Sequence, residues 1–289
     1  MMKKICIAVL LVMGFMKVFP QAEVATTEEF NQFLKTKTYV VYEDDPFSVF
    51  NMVIKDLMSK CWTITPYEYI DMKTFDIKKS DPNSSFIMIS DAMLTKNKLF
   101  VNEIKYQYKY TILNLILGKK GLVGNDFSAM PDLGSVPLCY SEAENDDYSY
   151  KLPGILLFMQ YYVHYNIEHP NSDYKDVVRS NSSELKTKEL WLLKEELAPN
   201  VNTVEKIKAI YPGTVKIVSA DDLEAAILAK NDKVAFLHKI GPAGTIPDGI
   251  CWKFIISAKD GKPLYYDHHK IDAENPDALL AKDFKDMGK

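Results

Sequence analysis

Thr38-Tyr39-Val40-Val41-Tyr42 is a run of β-branched and aromatic residues, and Asp45-Pro46 just beyond it offers a helix cap with a first-turn proline. Phe47, Phe50, Ile54, Leu57 and Cys61 then recur at the spacing of one apolar helix face. A strand leading straight into a helix is the opening unit of an α/β fold. Downstream, residues 63–70 read as a second strand and residues 71–79 as a short helix. Asp81-Pro82-Asn83 is a turn before a third strand, Phe86-Ile87-Met88-Ile89. Residues 106–117 and 136–140 read as a fourth and a fifth strand, and a helix over residues 153–168 closes the series.

The same order returns about 150 residues later. Leu190-Trp191-Leu192-Leu193 is a strand, and Asn202 with Glu205 three residues on marks a helix start that Pro212-Gly213 stops. Val215-Lys216-Ile217-Val218 follows, then a helix capped by Ser219, then the strand Val234-Ala235-Phe236-Leu237. Residues 252–257 and 263–267 form a hairpin around Asp260-Gly261, and residues 277–286 form the last helix. Each half reads β-α-β-α-β-β-β-α. The expected architecture is therefore two similar tandem α/β domains, each a mixed sheet with a βαβαβ core, an antiparallel edge hairpin and flanking helices. The expected divisions are a leader over residues 1–22, a first domain over 23–170, a polar linker over 171–186 and a second domain over 187–289.

The leader is read from Met1-Met2-Lys3-Lys4 followed by the apolar run from Ile5 to Met16, with small residues at Ala22 and Ala25. That run is the length of a secretory h-region and too short to span a bilayer, so the mature chain is expected to be periplasmic or secreted. Removing it leaves 32 Lys and Arg against 39 Asp and Glu, which takes the formal charge from −4 to −7. Arg179 is the sole arginine. An acidic chain with one arginine and no basic block does not fit nucleic-acid binding. Cys61, Cys139 and Cys251 stay in the mature chain without a CxxC pair, which fits buried thiols better than a zinc site or a redox dithiol.

Two clusters offer chemistry. Tyr161, His164, Tyr165 and Glu168 share one face of the long helix, where they could line a ligand groove. The same helix is apolar nearly all round, as a helix buried between domains would be. Asp267-His268-His269 gathers ligand-type side chains, but neighbours on a strand point to opposite faces, and no bound metal is expected there. The glycine loop at 118–124 lacks the helix that a phosphate cradle needs, and the loop at 241–249 reads as an irregular connection, with a ligand-binding lid as the alternative. No cofactor motif, nucleophile elbow or metalloprotease helix occurs. The sequence thus favours an exported, non-enzymatic protein that binds a ligand or partner at the cell envelope. The alternative is an envelope hydrolase acting on a peptide or glycan, with His164 and Glu168 or His268 and Asp267 as its acid–base groups.

Overall fold

In the computed structural model the described residues are 24–97, 104–122, 129–140, 148–242 and 249–289, with backbone alone for 93–97 and 104–107. The expected leader, the end of the first glycine loop (from 123) and the centre of the second (243–248) lie outside the described residues.

The first half forms a sheet of β1 (Lys37–Val41), β2 (Tyr67–Ile70), β3 (Ser84–Asn97), β4 (Ile104–Leu117) and β5 (Val136–Tyr140), in the spatial order β2-β1-β3-β4-β5. β1 runs parallel to β2 and β3, and the β3–β4 and β4–β5 pairs are antiparallel. The second half repeats this strand for strand. Its members are β6 (Glu189–Leu192), β7 (Thr214–Ile217), β8 (Val234–Ile240), β9 (Ile250–Ser257) and β10 (Pro263–Lys270), ordered β7-β6-β8-β9-β10 with the same pairing senses. The molecule is built from two similar α/β domains, as the element order implies.

Helices flank both sheets in matching places: α1 (Thr27–Phe33), α2 (Val49–Cys61), α3 (Met72–Lys78) and α4 (Leu152–Glu168), then α5 (Tyr174–Asn181), α6 (Val204–Lys208), α7 (Ala220–Leu228) and α8 (Ala281–Met287). β1 shows why parallel central strands read as unbroken apolar runs. Val40 faces one buried cluster, whereas Tyr39 and Val41 face another together with Phe75 of α3 and Phe86 of β3.

Several boundaries depart from the pattern in the sequence, each for a local reason. Helix α2 begins after Ser48, whose Oγ accepts from Asn51 N, so Asp45 does not cap it and Phe47 lies outside the helix. Thr203, not Asn202, caps α6; the Asn202 side chain accepts from Lys206 Nζ instead. The polar stretch at 171–186 is helical: Asp173 and Asp176 form a capping box, and Val177 is buried against the body. β3 runs eight residues past Ile89, because the ladder continues through Ser90 and Asp91, where Asn114 Nδ2 reaches Ser90 Oγ (2.9 Å) and Lys109 pairs with Asp91 (2.7 Å). The last helix starts at Ala281, since Asp277 is drawn away to Lys239 (2.5 Å).

Three apolar clusters fill the interior. Two lie on the outer faces of the sheets, one under α3 and one under α6 and α8. The third is shared: Val40, Ile87 and Leu115 of the first sheet meet Phe236, Phe254 and Ile256 of the second, with α2, α4 and α7 between. Helix α4 has 13 of its 17 residues buried, which is why its sequence is apolar nearly all round. Phe158 meets Phe254 edge-on across this junction, with centroids 6.1 Å apart.

Two glycines allow the close fit. A Cβ on Gly154 of α4 would lie 2.4 Å from Phe236 Cζ. Gly261, in the β9–β10 turn at φ +75°, sits against the α4 backbone, where a Cβ would lie 2.2 Å from Phe158 N. A side chain there meets both left-handed strain and rigid backbone. Gly261→Ala is therefore expected to lower the unfolding free energy by at least about 2 kcal/mol, from the left-handed penalty plus overpacking. Urea melts matching wild type within a few tenths of a kcal/mol would refute this account of the turn.

Candidate functional site

Strand β10 carries Asp267, His268 and His269, and its alternation sends them to different places. Asp267 and His269 share a face with the fully buried Lys253 of β9, which pairs with Asp283 (2.7 Å) and lies 3.6 Å from Asp267. Asp283 also accepts from Tyr265 Oη (2.8 Å) and caps α8 through Leu280 N (2.7 Å). Asp267 pairs outward with Lys282 (3.0 Å). Burial pushes the Asp267 carboxyl up, but the Lys282 bond and the Lys253 charge outweigh it and hold it below the ordinary carboxylate range. His269 Nε2 donates to Pro276 O (2.9 Å). His268 lies on the opposite face, its ring 6.0 Å from that of Tyr266. Burial lowers the pKa of both imidazoles, helped by nearby lysine charges. Among the described residues, no three His, Cys, Asp or Glu side chains are grouped to hold an ion.

The residues that Asp267 and His269 hold in place border a cleft. Leu197 and Leu279 form an isolated parallel bridge, with Ala198 N donating to Leu279 O (3.1 Å) and Leu279 N to Glu196 O (2.8 Å). Beside this clip opens a cleft of about 470 Å³, lined by residues 198–200, 273–276 and 280–282. That is within the range of small-ligand sites. Ala198, Pro199, Pro276 and Leu280 give it apolar walls, and Asn200, Glu274, Asn275 and Lys282 supply polar groups.

Each wall is fixed locally. Lys206 Nζ donates to Pro199 O (2.8 Å), and Asp272 Oδ1 accepts from Glu274 N (2.9 Å) and Asn275 N (2.8 Å). The third wall is the capped start of α8. In the sequence this region reads as loop and helix start. The signal it carries is a pair of proline–asparagine neighbours, Pro199-Asn200 and Asn275-Pro276, far apart in the chain.

The face of α4 expected to line a groove is divided. Tyr161 Oη donates to Asn181 Oδ1 (2.9 Å) and Tyr165 Oη bonds Ser180 Oγ (2.6 Å), so α5 lies over the two tyrosines. His164 and Glu168 stand exposed. The four residues thus share a helix, with two under α5 and two in the open.

A third polar group lies where the sheets meet. Lys151, at the start of α4, pairs with Glu196 of the second half, both buried. Burial pulls the Lys151 pKa down, and the Glu196 charge more than restores it. Tyr110 Oη donates to Ile250 O (3.2 Å), and His238 Nε2 bonds Pro137 O (2.8 Å). Cys61, Cys139 and Cys251 are buried thiols outside any disulfide.

No family model, curated protein or solved structure matches this chain.

His238 gives a sharp check on the junction. Burial, with the Lys151 charge, lowers its pKa from 6.5 to about 3. An unfolded chain takes up that proton near pH 6.5 and the native state does not, so stability falls as pH drops through this window. The slope from this group is at most about 1.4 kcal/mol per pH unit. Wild type should lose stability relative to His238→Gln between pH 6 and 4, and the imidazole should stay neutral by NMR at pH 4.5. Parallel stability curves together with an imidazolium signal at that pH would contradict the assignment.

Proposed function

We propose that this chain is an exported, non-catalytic protein that binds a ligand or partner at the cell envelope, and that the cleft beside the Leu197–Leu279 bridge takes the ligand. The observation that carries this reading is the cleft itself, about 470 Å³ with apolar walls, amide side chains at its lining and walls already held by hydrogen bonds. A preformed site avoids the ordering cost that weakens binding by flexible loops. One wall, residues 198–200, belongs to the connection that leaves the carboxyl end of β6, where open α/β sheets carry their ligands. Export rests on the basic and apolar character of residues 1–22.

Hydrolysis draws less support. An acid–base pair needs an imidazole and a carboxylate facing one cleft. His164 and Glu168 stand in the open on α4, and Asp267 is committed to Lys282.

A thermal-shift screen of residues 23–289 against peptides, glycans and peptidoglycan fragments tests the proposal. A ligand at 100 times its Kd stabilises by about 2.7 kcal/mol, which moves the midpoint by several degrees. Asn200→Trp, which fills the cleft from an exposed position, should abolish that shift and leave the unliganded midpoint unchanged. A shift that survives Asn200→Trp, or a panel with no response, would count against the cleft. Turnover of the responding compound would favour the hydrolase.

A further inference from the structure

Six large apolar side chains are exposed among the described residues, and three of them, Phe47, Val49 and Met52, fall within six positions at the start of α2. Phe47 is 82% and Met52 61% exposed. The spacing in the sequence would turn Phe47 inward with Phe50 and Ile54. The fold holds it out by a specific device. Asn51 Nδ2 donates to Glu43 O (2.9 Å) and Asp45 O (2.8 Å), and Asn51 Oδ1 accepts from Glu43 N (3.0 Å). Asp45 Oδ1 accepts from Phe47 N (2.9 Å). The loop is thus clamped from both ends with its phenylalanine outward. At its base Tyr42 and Tyr69 stack with centroids 5.4 Å apart, and Tyr69 Oη donates to Lys55 O of α2 (3.1 Å). The backbone that carries Phe47 is thus fixed with the ring exposed, and an aromatic side chain on a preorganised loop suits an interface anchor, since little backbone ordering is left to lose on binding.

The rim of this patch is acidic. Glu43, Asp44 and Asp45 are consecutive, Asp44 and Asp45 are exposed, and none of the three is in an ion pair among the described residues. That charge selects the occupant. A two-fold pairing with a second copy would set acid against acid, and an anionic lipid surface would repel the same groups. The geometry points to a docking surface for a different protein, one that offers an apolar pocket for Phe47 bordered by lysine or arginine. This surface shares no residue with the cleft and stands whether or not the cleft binds a ligand.

The test places the photocrosslinker p-benzoylphenylalanine at position 47 of the full chain, in the cells that make it, with position 77 as an equally exposed control. The expected result is one covalent adduct at 47, absent at 77, to another protein whose crosslinked segment carries lysine or arginine beside apolar residues. Adding Asp44→Lys and Met52→Asp should cut its yield at least tenfold without changing the thermal midpoint. An adduct with a second copy, with this chain's own residues 1–23 or with lipid would overturn the proposal. So would no adduct, or a yield the two substitutions leave unchanged.

Discussion

Helix α4 is the constraint on which the rest of the molecule depends. It is apolar on nearly every side, so one sheet cannot bury it, and it takes cover from both. Burying a Leu, Ile, Phe or Met side chain contributes about 1.5–3 kcal/mol. Ile155, Leu156, Phe158 and Met159 are all fully buried, so the helix amounts to many times the worth of any single polar contact at the junction. Approach on one side depends on Gly154 below Phe236, and on the other on Gly261 against the helix backbone. Without both glycines the helix would stand off from the second sheet, and the shared cluster would open.

The polar contacts at the junction act differently. A buried ion pair such as Lys151–Glu196 gains Coulomb energy but pays desolvation for both ions, so its net effect is near zero even though removing one partner costs about 3–5 kcal/mol. The His238–Pro137 and Tyr110–Ile250 bonds likewise satisfy groups that would be costly if orphaned. Apolar burial supplies the driving force. The polar contacts penalise any other way of setting the two sheets together.

Much of this fold is legible from residue order. The parallel strands are short unbroken apolar runs, Ser219 does cap α7, and Asp260-Gly261 does mark the β9–β10 turn. What the sequence concealed has one common cause, a side chain bonding to something distant along the chain or hidden by its neighbours. Asn51 reaches back eight residues to remake the helix start that Asp45-Pro46 advertises. Ser90 and Asp91 look like the end of a strand until Asn114 and Lys109 arrive from the next one. The stretch at 171–186 has the composition of a linker, yet Val177, Asn181 and Leu185 give it a face to bury. Of the candidate site residues, Asp267 and His269 were the informative ones, though their place is behind the cleft and not in it. The cleft was barely legible, because its lining joins segments some 75 residues apart that the Leu197–Leu279 bridge and the apolar cluster around it bring together.

The repeat gives these two surfaces a common origin in topology. In each sheet the chain leaves its first strand, pairs the second on one side, then crosses back to place the third on the other, so β1 and β6 occupy the switch points. The connection that leaves the carboxyl end of such a strand has no neighbouring crossover to cover it, and residues there are free to vary without disturbing the sheet. In the first half that connection is the Asn51-clamped loop carrying Phe47. In the second it is the stretch through Pro199 and Asn200 that walls the cleft. The helix each connection enters differs accordingly, 13 residues in α2 and five in α6. A shorter helix leaves more of the connection to short 3-10 turns and the chain between them, long enough to reach across to Leu279 and form a pocket. The longer helix uses those residues up and leaves only a tight loop, which can present a side chain but cannot enclose one.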